Sequence, residues 1–449
     1  MDTLIQIAQF ILSISILVIL HELGHFIPAK LFKTKVEKFY LFFDAKFSLF
    51  KKKIGDTEYG IGWIPFGGYV KIAGMVDESM DTEQLKKEPE DWEFRSKPAW
   101  QRLIIMAGGV IVNVIVVYII QVGMLTAWGK QETRLDSMKD GLWIRSEMLK
   151  NDIGLQTGDK IVSINNEKTT YLRESYMNIL LGNSIQIERE GKEMSLNIPI
   201  DVINKLKNNK SEGPLYTPRI PFVVAKVMDS LHNANSGLEA GDQVIKLNGK
   251  PTNFVDQMLV ALNEHKSQTV EALVLRQGEP LNLTVNVSPK GTLGVLRQGF
   301  SYASLEEQGG LTIDKVDYAF GDAVWAGFGE TKTAFVDYFK QFKRIINPET
   351  KAYKSVGGLI KMVEIFPSSW DWRYFWNITA MLSTMLAVLN ILPIPALDGG
   401  HIVFLLYEIV SGRKPSQRVL ETAQMLGIMI LLSLLVLANG NDILEKILG

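Results

Sequence analysis

The stretch LIQIAQFILSISILVILHELGHF, residues 4–26, decides how this chain is built. It is long and apolar enough for a helix that crosses a bilayer, which needs about 20 such residues. It ends in His21, Glu22 and His25, side chains that are costly in lipid unless they are paired or bound to something. Because no Lys or Arg precedes Lys30 and no small-residue cleavage site follows, we interpret it as a retained membrane helix rather than a signal peptide.

Three further apolar stretches, residues 103–128, 374–392 and 422–438, predict three more membrane helices. The lysine-rich residues 30–53 and the basic loop between the third and fourth helices should face the cytoplasm, since positively charged loops stay on that side. The N-terminus, the long middle region and the C-terminus then lie on the other side. The predicted fold class is a polytopic α-helical membrane protein with four transmembrane helices and β domains inserted between them.

Composition narrows the possible functions. The 449-residue chain has a formal net charge of -1, so nucleic-acid binding has no electrostatic support. It contains no cysteine, which excludes disulfides and thiolate ligands. Any metal site must therefore be built from His, Asp or Glu.

The middle region contains an internal repeat. GLQTGDKIVSIN, from Gly154, matches GLEAGDQVIKLN, from Gly237, 83 residues further on. In each copy a Gly-Asp turn precedes an alternating run that predicts a strand. Both copies resemble PDZ domains, which implies binding of extended peptides by strand addition. A role that only fences off the membrane site stays open.

The repeat divides the chain into five parts. We predict membrane segments over residues 1–128 and 374–449, PDZ-like domains over 129–212 and 213–290, and a linker over 291–373. The aromatic-rich residues 314–343 of this linker predict an amphipathic helix at the membrane surface. A plain packing helix would show the same pattern.

The residues His21-Glu22-Leu23-Gly24-His25 form a His-Glu-x-x-His motif. Positions i and i+4 share one helix face, so both imidazoles can hold one metal ion. Glu22 lies beside the first ligand and can take a proton from a metal-bound water. The motif predicts a metal-dependent hydrolase whose site lies within the membrane, towards its cytoplasmic face.

A third ligand is expected in NILPIPALDGGH, residues 390–401. Asp398 is the best candidate, because the first and third helices run in the same direction and end at the same depth. His401 is the competitor, for which we favour a structural role. Pro393 and Pro395 interrupt the third helix, and such irregular backbone persists at membrane depth only where it lines a cavity.

These two distant motifs and the inserted repeat resemble the site-2 protease family of intramembrane zinc proteases. The resemblance covers nearly the whole chain. It implies Zn²⁺ held by His21, His25 and Asp398, with Glu22 as catalytic base and Asn390 near the bound substrate.

The resemblance also implies partners and a location. The substrates would be single-span membrane proteins in the lipid bilayer: an anti-sigma factor trimmed first by an upstream site-1 protease, or remnant signal peptides. The enzyme would sit in a bacterial inner membrane, with its PDZ-like domains on the periplasmic side.

Residues 59–71 are similar to a membrane-associated β-hairpin of that family. An exposed strand edge at Gly67, Gly68 and Tyr69 would hold an unwound substrate by main-chain hydrogen bonds. A purely structural hairpin that caps the site is the other interpretation.

The chain departs from the family pattern at two positions. Val110 and Leu359 stand where prolines are common, which leaves local backbone detail open. Other functions also stay open: a membrane-anchored zinc protease acting on soluble or misfolded proteins, a non-catalytic scaffold of PDZ domains and, with less support, a metal transporter. The scaffold would be expected to lack Glu22 or a ligand, and none is missing.

Overall fold

The computed structural model describes residues 2–75, 88–208, 213–228 and 231–448. The chain forms two compact units. The membrane unit comprises residues 1–129, 317–346 and 353–449, and the β unit comprises residues 130–316 and 347–352.

The helices of the described residues are numbered in chain order. They are α1 (Asp2–Leu31), α2 (Ala99–Trp128), α3 (Leu172–Leu181), α4 (Val202–Asn208), α5 (Val255–Glu264), α6 (Tyr302–Glu307), α7 (Phe320–Ile346), α8 (Leu359–Glu364), α9 (Trp372–Ile391), α10 (Asp398–Ser411) and α11 (Gln417–Leu448).

The strands are numbered in the same way. They are β1 (Val36–Phe43), β2 (Phe50–Ile54), β3 (Thr57–Ile61), β4 (Ile64–Ile72), β5 (Lys130–Thr133), β6 (Leu142–Ile144), β7 (Lys160–Ile164), β8 (Glu167–Lys168), β9 (Ser184–Arg189), β10 (Lys192–Asn197), β11 (Tyr216–Pro218), β12 (Val224–Val227), β13 (Gln243–Leu247), β14 (Lys250–Pro251), β15 (Thr269–Arg276), β16 (Glu279–Asn286), β17 (Val295–Arg297) and β18 (Ile313–Val316).

Within the described residues, four helices are long and apolar enough to cross a membrane: α1, α2, α9 and the α11 segment Gln417–Ile443. Each of the four apolar stretches of the sequence lies in one of them, except that the third runs one residue past the end of α9 at Ile391. Helix α2 is central, since it packs against α1, α7, α9 and α10. Helix α11 is peripheral: 11% of its most apolar window is buried, against 44% for α2.

The predicted hairpin over residues 59–71 is wrong. Strands β3 and β4 are consecutive in the chain, but the sheet has the order β2-β3-β1-β4, so β1 lies between them. β1 pairs with β3 in parallel and with β4 antiparallel. The chain passes over the end of β1 at Gly62, whose amide donates to the Leu41 carbonyl and where any side chain would collide with the Phe43 backbone. β4 thereby becomes an edge strand.

The β unit contains two modules of similar construction. The first β module has the sheet order β10-β9-β7-β8, helix α3 and the strand pair β6–β11. The second β module has the order β14-β13-β15-β16, helix α5 and the pair β12–β17. Through β11 and β17 the modules extend to Pro218 and Arg297, past residues 212 and 290, where the repeat alone places their ends.

Helix α7 begins later than its aromatic pattern suggests. Residues 313–316 form β18 and pair with β5, so the helix starts at Phe320 rather than at Asp314. Its side chains Trp325 and Phe328 are exposed by 82% and 67%. Such a stripe is typical of a helix at a membrane surface.

Candidate active site

His21 and His25 lie one turn apart on α1, as their spacing predicts. Their rings are nearly perpendicular, with centroids 4.9 Å apart, and their Nε2 atoms are 3.4 Å apart. Both side chains are largely enclosed, with 14% and 7% of their surface exposed. The two nitrogens therefore converge on one small volume inside the membrane unit.

Asp398 joins the two histidines from the other end of the chain. Helix α9 ends at Ile391, before Pro393 and Pro395, and α10 begins at Asp398 itself. Its Oδ2 atom lies 3.4 Å from His21 Nε2 and 3.4 Å from His25 Nε2. The three ligand atoms thus form a nearly equilateral triangle.

This triangle has the dimensions of a zinc site. Tetrahedral ligands at about 2.0–2.1 Å from one ion are about 3.3–3.4 Å from each other. Asp398 Oδ2 is buried and no hydrogen-bond donor reaches it within the described residues. A buried carboxylate oxygen without a donor is unfavourable unless a cation lies beside it. The three residues fit the ion, and they are the one His/Asp/Glu group of this kind in the part of the chain that the structure describes.

The outward-facing ring nitrogens are also held. His25 Nδ1 lies 2.8 Å from the Ile105 carbonyl oxygen, which only accepts, so Nδ1 carries the proton and Nε2 keeps its lone pair. The side-chain amide nitrogen of Asn113 lies 3.2 Å from His21 Nδ1, and the Asn113 oxygen has no donor among the described residues. Rotating this amide by 180° would let its oxygen accept the Nδ1 proton and free Nε2 in the same way. Both partners come from α2.

The three candidate ligands line a cavity of about 80 Å³. Glu22 and His401 line it together with the three ligands, and so do Gly68 and Tyr69 of β4. Gly67 is not among its lining residues. The side-chain amide nitrogen of Asn390 lies 3.4 Å from His21 Nε2. The fold therefore gathers most of the sequence-predicted site residues around one cavity.

Comparison with known proteins identifies the family. The sequence profile of "Peptidase family M50" matches residues 9–434. The chain belongs to peptidase family M50, the site-2 protease family. The regulator of sigma-E protease RseP of Escherichia coli is 28% identical over 467 residues, which cover 97% of this chain and 98% of that protein. Protease RseP of Yersinia pestis is 25% identical over 98% of this chain and 99% of its own length. A Xylella fastidiosa protein named "Putative zinc metalloprotease" is 27% identical over 99% of both chains.

Small residues let α1 and α2 of this M50 peptidase meet at the site. A methyl group on Gly24 would collide with the Gly108 backbone, and one on Gly108 with Gly24. A methyl group on Gly109 would collide with both imidazoles. The two helix backbones therefore touch, as small residues permit in membrane proteins, and the rings occupy the space that Gly109 leaves free.

Sequence reasoning assigned no role to Asn113. The signal was present, because Asn113 is a polar residue in the middle of the apolar helix α2 and is fully buried there. Polar side chains at such positions are expected to face a partner or a functional site.

β4 is an edge strand of its sheet, and its residues Gly68 and Tyr69 line the cavity. Tyr69 is fixed there by a 2.9 Å hydrogen bond to Asp44 Oδ1 and by stacking on Tyr40, with ring centroids 5.4 Å apart. Gly67 has φ +121°, a conformation that side chains rarely adopt. The local sequence therefore keeps this edge rigid beside the ligands.

The two departures from the family pattern have structural counterparts. Val110 lies inside α2 and is 8% exposed, so the helix runs on without a proline. The Leu359 amide donates a 3.1 Å hydrogen bond to Asn439 Oδ1 of α11, a bond that proline cannot make. The preceding Gly358 amide donates to Asp442 Oδ2 at 2.8 Å. Two side chains of α11 thus cap the start of α8.

Proposed function

We propose that this chain is a zinc-dependent intramembrane protease, which hydrolyses a peptide bond within the transmembrane segment of its substrate. The observation that carries the proposal is the 3.4 Å triangle of His21, His25 and Asp398 beside Glu22, with both histidines on a helix long and apolar enough to cross a membrane. The zinc metalloprotease name of the Xylella relative supports the choice of metal.

When bound, Zn²⁺ supplies Lewis acidity that polarises a carbonyl group and lowers the pKa of water towards 7. His21, His25 and Asp398 hold the ion. The Glu22 carboxylate takes a proton from the attacking water and later gives it to the leaving amine. Asn390, close to His21, orients the substrate or donates to the developing oxyanion.

A transmembrane substrate must be unwound before it can be cut, because a helix encloses its own peptide groups. β4 is an edge strand whose residues line the ligand cavity, so its unpaired edge can offer backbone donors and acceptors to an extended chain. Gly67, Gly68 and Tyr69 form the part of this edge that we assign to substrate binding. The Asp44 bond to Tyr69 keeps it in place.

The biological role that we propose is regulated intramembrane proteolysis in a bacterial inner membrane. The active site lies towards the cytoplasm, because basic residues dominate the adjoining loops. The β modules, as PDZ-like domains, lie on the periplasmic side and meet single-span substrates that a site-1 protease has shortened. The RseP names of two relatives point to an anti-sigma factor as substrate, and remnant signal peptides are a second class.

The test is cleavage of a shortened single-span substrate by the purified protein in detergent or liposomes. Wild type should cut within the span, and a zinc chelator should abolish cutting. Glu22→Gln should lose at least about 1000-fold in kcat while it keeps zinc, because the ligands are intact. Glu193→Gln, at an exposed β-unit position, is the matched control and should cut normally. Equal cutting by wild type and Glu22→Gln would refute the assignment.

The substrate edge has its own test. Tyr69→Ala should lower kcat/KM about tenfold with zinc content unchanged, a loss of about 1.4 kcal/mol of transition-state stabilisation. Tyr407→Ala, at a half-exposed tyrosine of α10, is the control and should have no effect. Unchanged cleavage by Tyr69→Ala would leave β4 with a purely structural role.

A further inference from the structure

A second cavity of about 300 Å³ adjoins the ligand cavity. Its walls come from the end of the β4 segment, the start of α2, helix α10 and the first turns of α11. Met75, His401 and Gln424 line both cavities. The two spaces are therefore neighbours that share one wall.

Gln424 is the unusual member of this wall. It lies on α11, a helix that mostly faces outward, yet only 3% of its surface is exposed. No hydrogen-bond partner for its side chain is found among the described residues. Its side chain lines both cavities, so a segment bound in either one can reach the amide. A primary amide carries both a donor and an acceptor, which suits it to a peptide group.

The edge strand points to the same place. β4 passes the ligands at Gly68 and Tyr69 and ends at Ile72, and Gly74 and Met75 just beyond it line the second cavity. A chain laid along the free edge of β4 is thus led past the ligands and past Gln424. The second cavity lies on the other side of the wall that Met75, His401 and Gln424 form.

We infer that the second cavity is a subsite for the substrate residues on one side of the scissile bond, and that the Gln424 amide hydrogen-bonds their main chain. This inference rests on the proposed function and adds a binding site to it. Gln424 is a positioning residue here, since it contacts substrate residues beside the scissile bond and not the reacting atoms.

The lining indicates which residues fit. Phe94, Phe404 and Leu420 give it apolar walls. Of its charged lining residues, Arg102 pairs with Glu408 and Arg95 pairs with Glu93. Lys414 is exposed and donates to the Arg95 carbonyl, so the buried part of the cavity carries no uncompensated charge among the described residues. The subsite therefore fits a short extended segment with apolar side chains, which is what an unwound membrane span supplies.

Cross-linking tests the location. The chain has no cysteine, so single-cysteine variants react only where intended. In the Glu22→Gln background, Leu420→Cys should cross-link to substrate cysteines on one side of the scissile bond only. Tyr69→Cys reports that substrate is seated at β4. Leu426→Cys is the control, because it lies on the same helix, is 52% exposed and lines neither cavity. The inference is overturned if the substrate cross-links to Tyr69→Cys but not to Leu420→Cys. It is also overturned if Leu420→Cys cross-links no more than Leu426→Cys does.

Kinetics tests the amide. Gln424→Leu should raise KM about tenfold, with zinc content and thermal stability unchanged, and Gln424→Asn should recover part of the loss. The control is Ser433→Ala on the same helix, since Ser433 is exposed, lines neither cavity and already bonds to the Met429 carbonyl. An unchanged KM for Gln424→Leu would refute the role. If wild type itself shows no Glu22-dependent cleavage, the proposed function is wrong. If wild type cleaves normally and only the Leu420 and Gln424 results are negative, the subsite inference alone is wrong.

Discussion

Both β modules contain the same arginine–aspartate contact, but the residues that pack beside this contact differ. In the first, Arg189 at the end of β9 grips both carboxylate oxygens of Asp159 at 2.7 Å and donates to the Gly154 carbonyl. In the second, Arg276 at the end of β15 does the same with Asp242 and Gly237. We call each arrangement the Arg–Asp clamp.

The difference lies where the helix of each module meets its short strand pair. In the first module the Ser146 amide donates to the Leu215 carbonyl, and in the second the Met228 amide donates to the Gly294 carbonyl. The residues that follow these carbonyls, Tyr216 and Val295, therefore correspond. Tyr216 is buried and bonds to the hydroxyl of Ser175 on α3 at 2.7 Å.

The second module replaces this polar pair with an apolar one. Helices α3 and α5 are both ten residues long and start 83 residues apart, so Ser175 corresponds to Met258. In the first module, the small Ser175 contacts the large Tyr216. In the second, the corresponding residues are the large Met258 and the smaller Val295. The repeat thus preserves the Arg–Asp clamp, which fixes the backbone. The side chains that pack beside the clamp can change as long as their combined volume is conserved.

A neighbouring position separates the modules further. Tyr176 stacks on Tyr216 with centroids 4.5 Å apart, and its hydroxyl donates to the Tyr216 carbonyl. Its counterpart Leu259 is 53% exposed. The first module therefore covers the edge of β11 with a side chain, whereas the leucine at this position of the second module has no hydroxyl to offer.

The largest expected effect tests whether the clamps are equivalent. Asp159→Ala and Asp242→Ala should each destabilise their own module by about 3 kcal/mol, since a charged hydrogen-bond network loses its buried acceptor. Amide hydrogen exchange, resolved for β7 and β13, measures each module separately. A large loss in one module and none in the other would break the comparison.

The exchange of packing partners comes next. Tyr216→Val alone should cost about 2–3 kcal/mol, because it leaves a cavity and removes one of the two hydrogen-bond partners of the Ser175 hydroxyl. The double variant Ser175→Met, Tyr216→Val should regain about 1–2 kcal/mol, as expected for coupled neighbours. Exchange of the β7 amides again gives the measurement. Strictly additive losses would show that the two modules do not correspond at these positions.

A third difference concerns the chain before each Gly-Leu-x-x-Gly-Asp motif. The second module holds this segment with the buried Asn233, whose side chain makes bonds of 2.7–2.8 Å to the Asn286 amide and to the carbonyls of Asn286 and Leu293. The first has a π-helical turn, Leu149–Ile153, in its place. Asn233→Ala should destabilise the second module by about 2 kcal/mol and leave the first unchanged. Lys150→Ala, within the π-helical turn, is the control and should change neither.

The smallest effect is a pH dependence in the second module. Burial by itself would raise the pKa of Asp242, but the Arg276 guanidinium and the Glu239 amide outweigh it and hold the pKa below its usual value. The folded module then binds fewer protons than the unfolded chain. Its clamp contributes fully above the ordinary carboxyl pKa of about 4, and this contribution is lost as pH falls from there through the lowered pKa.

Hydrogen exchange of β13 between pH 6 and 3 should show this loss. Asp242→Asn should flatten the profile, whereas Glu279→Gln, at an exposed position, should not. An identical profile for Asp242→Asn would mean that other groups set the acid limit of this module.

Much of the architecture could be predicted because its signals are local. The four apolar stretches and the His21-to-His25 spacing depend only on neighbouring residues. Asp398 was predictable from one long-range argument, namely that the first and third helices end at the same depth. The family relation then supports the overall plan.

The remaining features depend on contacts that no local pattern encodes. Asn113 meets His21 across 92 residues, and the parallel pairing of β1 with β3 cannot be read from two adjacent strands that look like a hairpin. The end-of-strand arginines Arg189 and Arg276 were visible in both repeats, but only the fold brings them to their aspartates. Gln424 has a recognisable signal, since it is an amide in an apolar helix, but its buried position depends on how α11 packs.

Helix α11 touches the rest of the membrane unit at two well-separated places. Near one end, Gly427 packs directly against the Pro395 backbone, three residues before Asp398. Near the other, Asn439 and Asp442 cap α8. Between them, Leu432 and Val436 are more than half exposed. In a bilayer they meet lipid, and a helix tilts when its apolar length and the local thickness differ. The helix that meets lipid along its middle is therefore the same helix that contacts, at Gly427, the backbone just before Asp398.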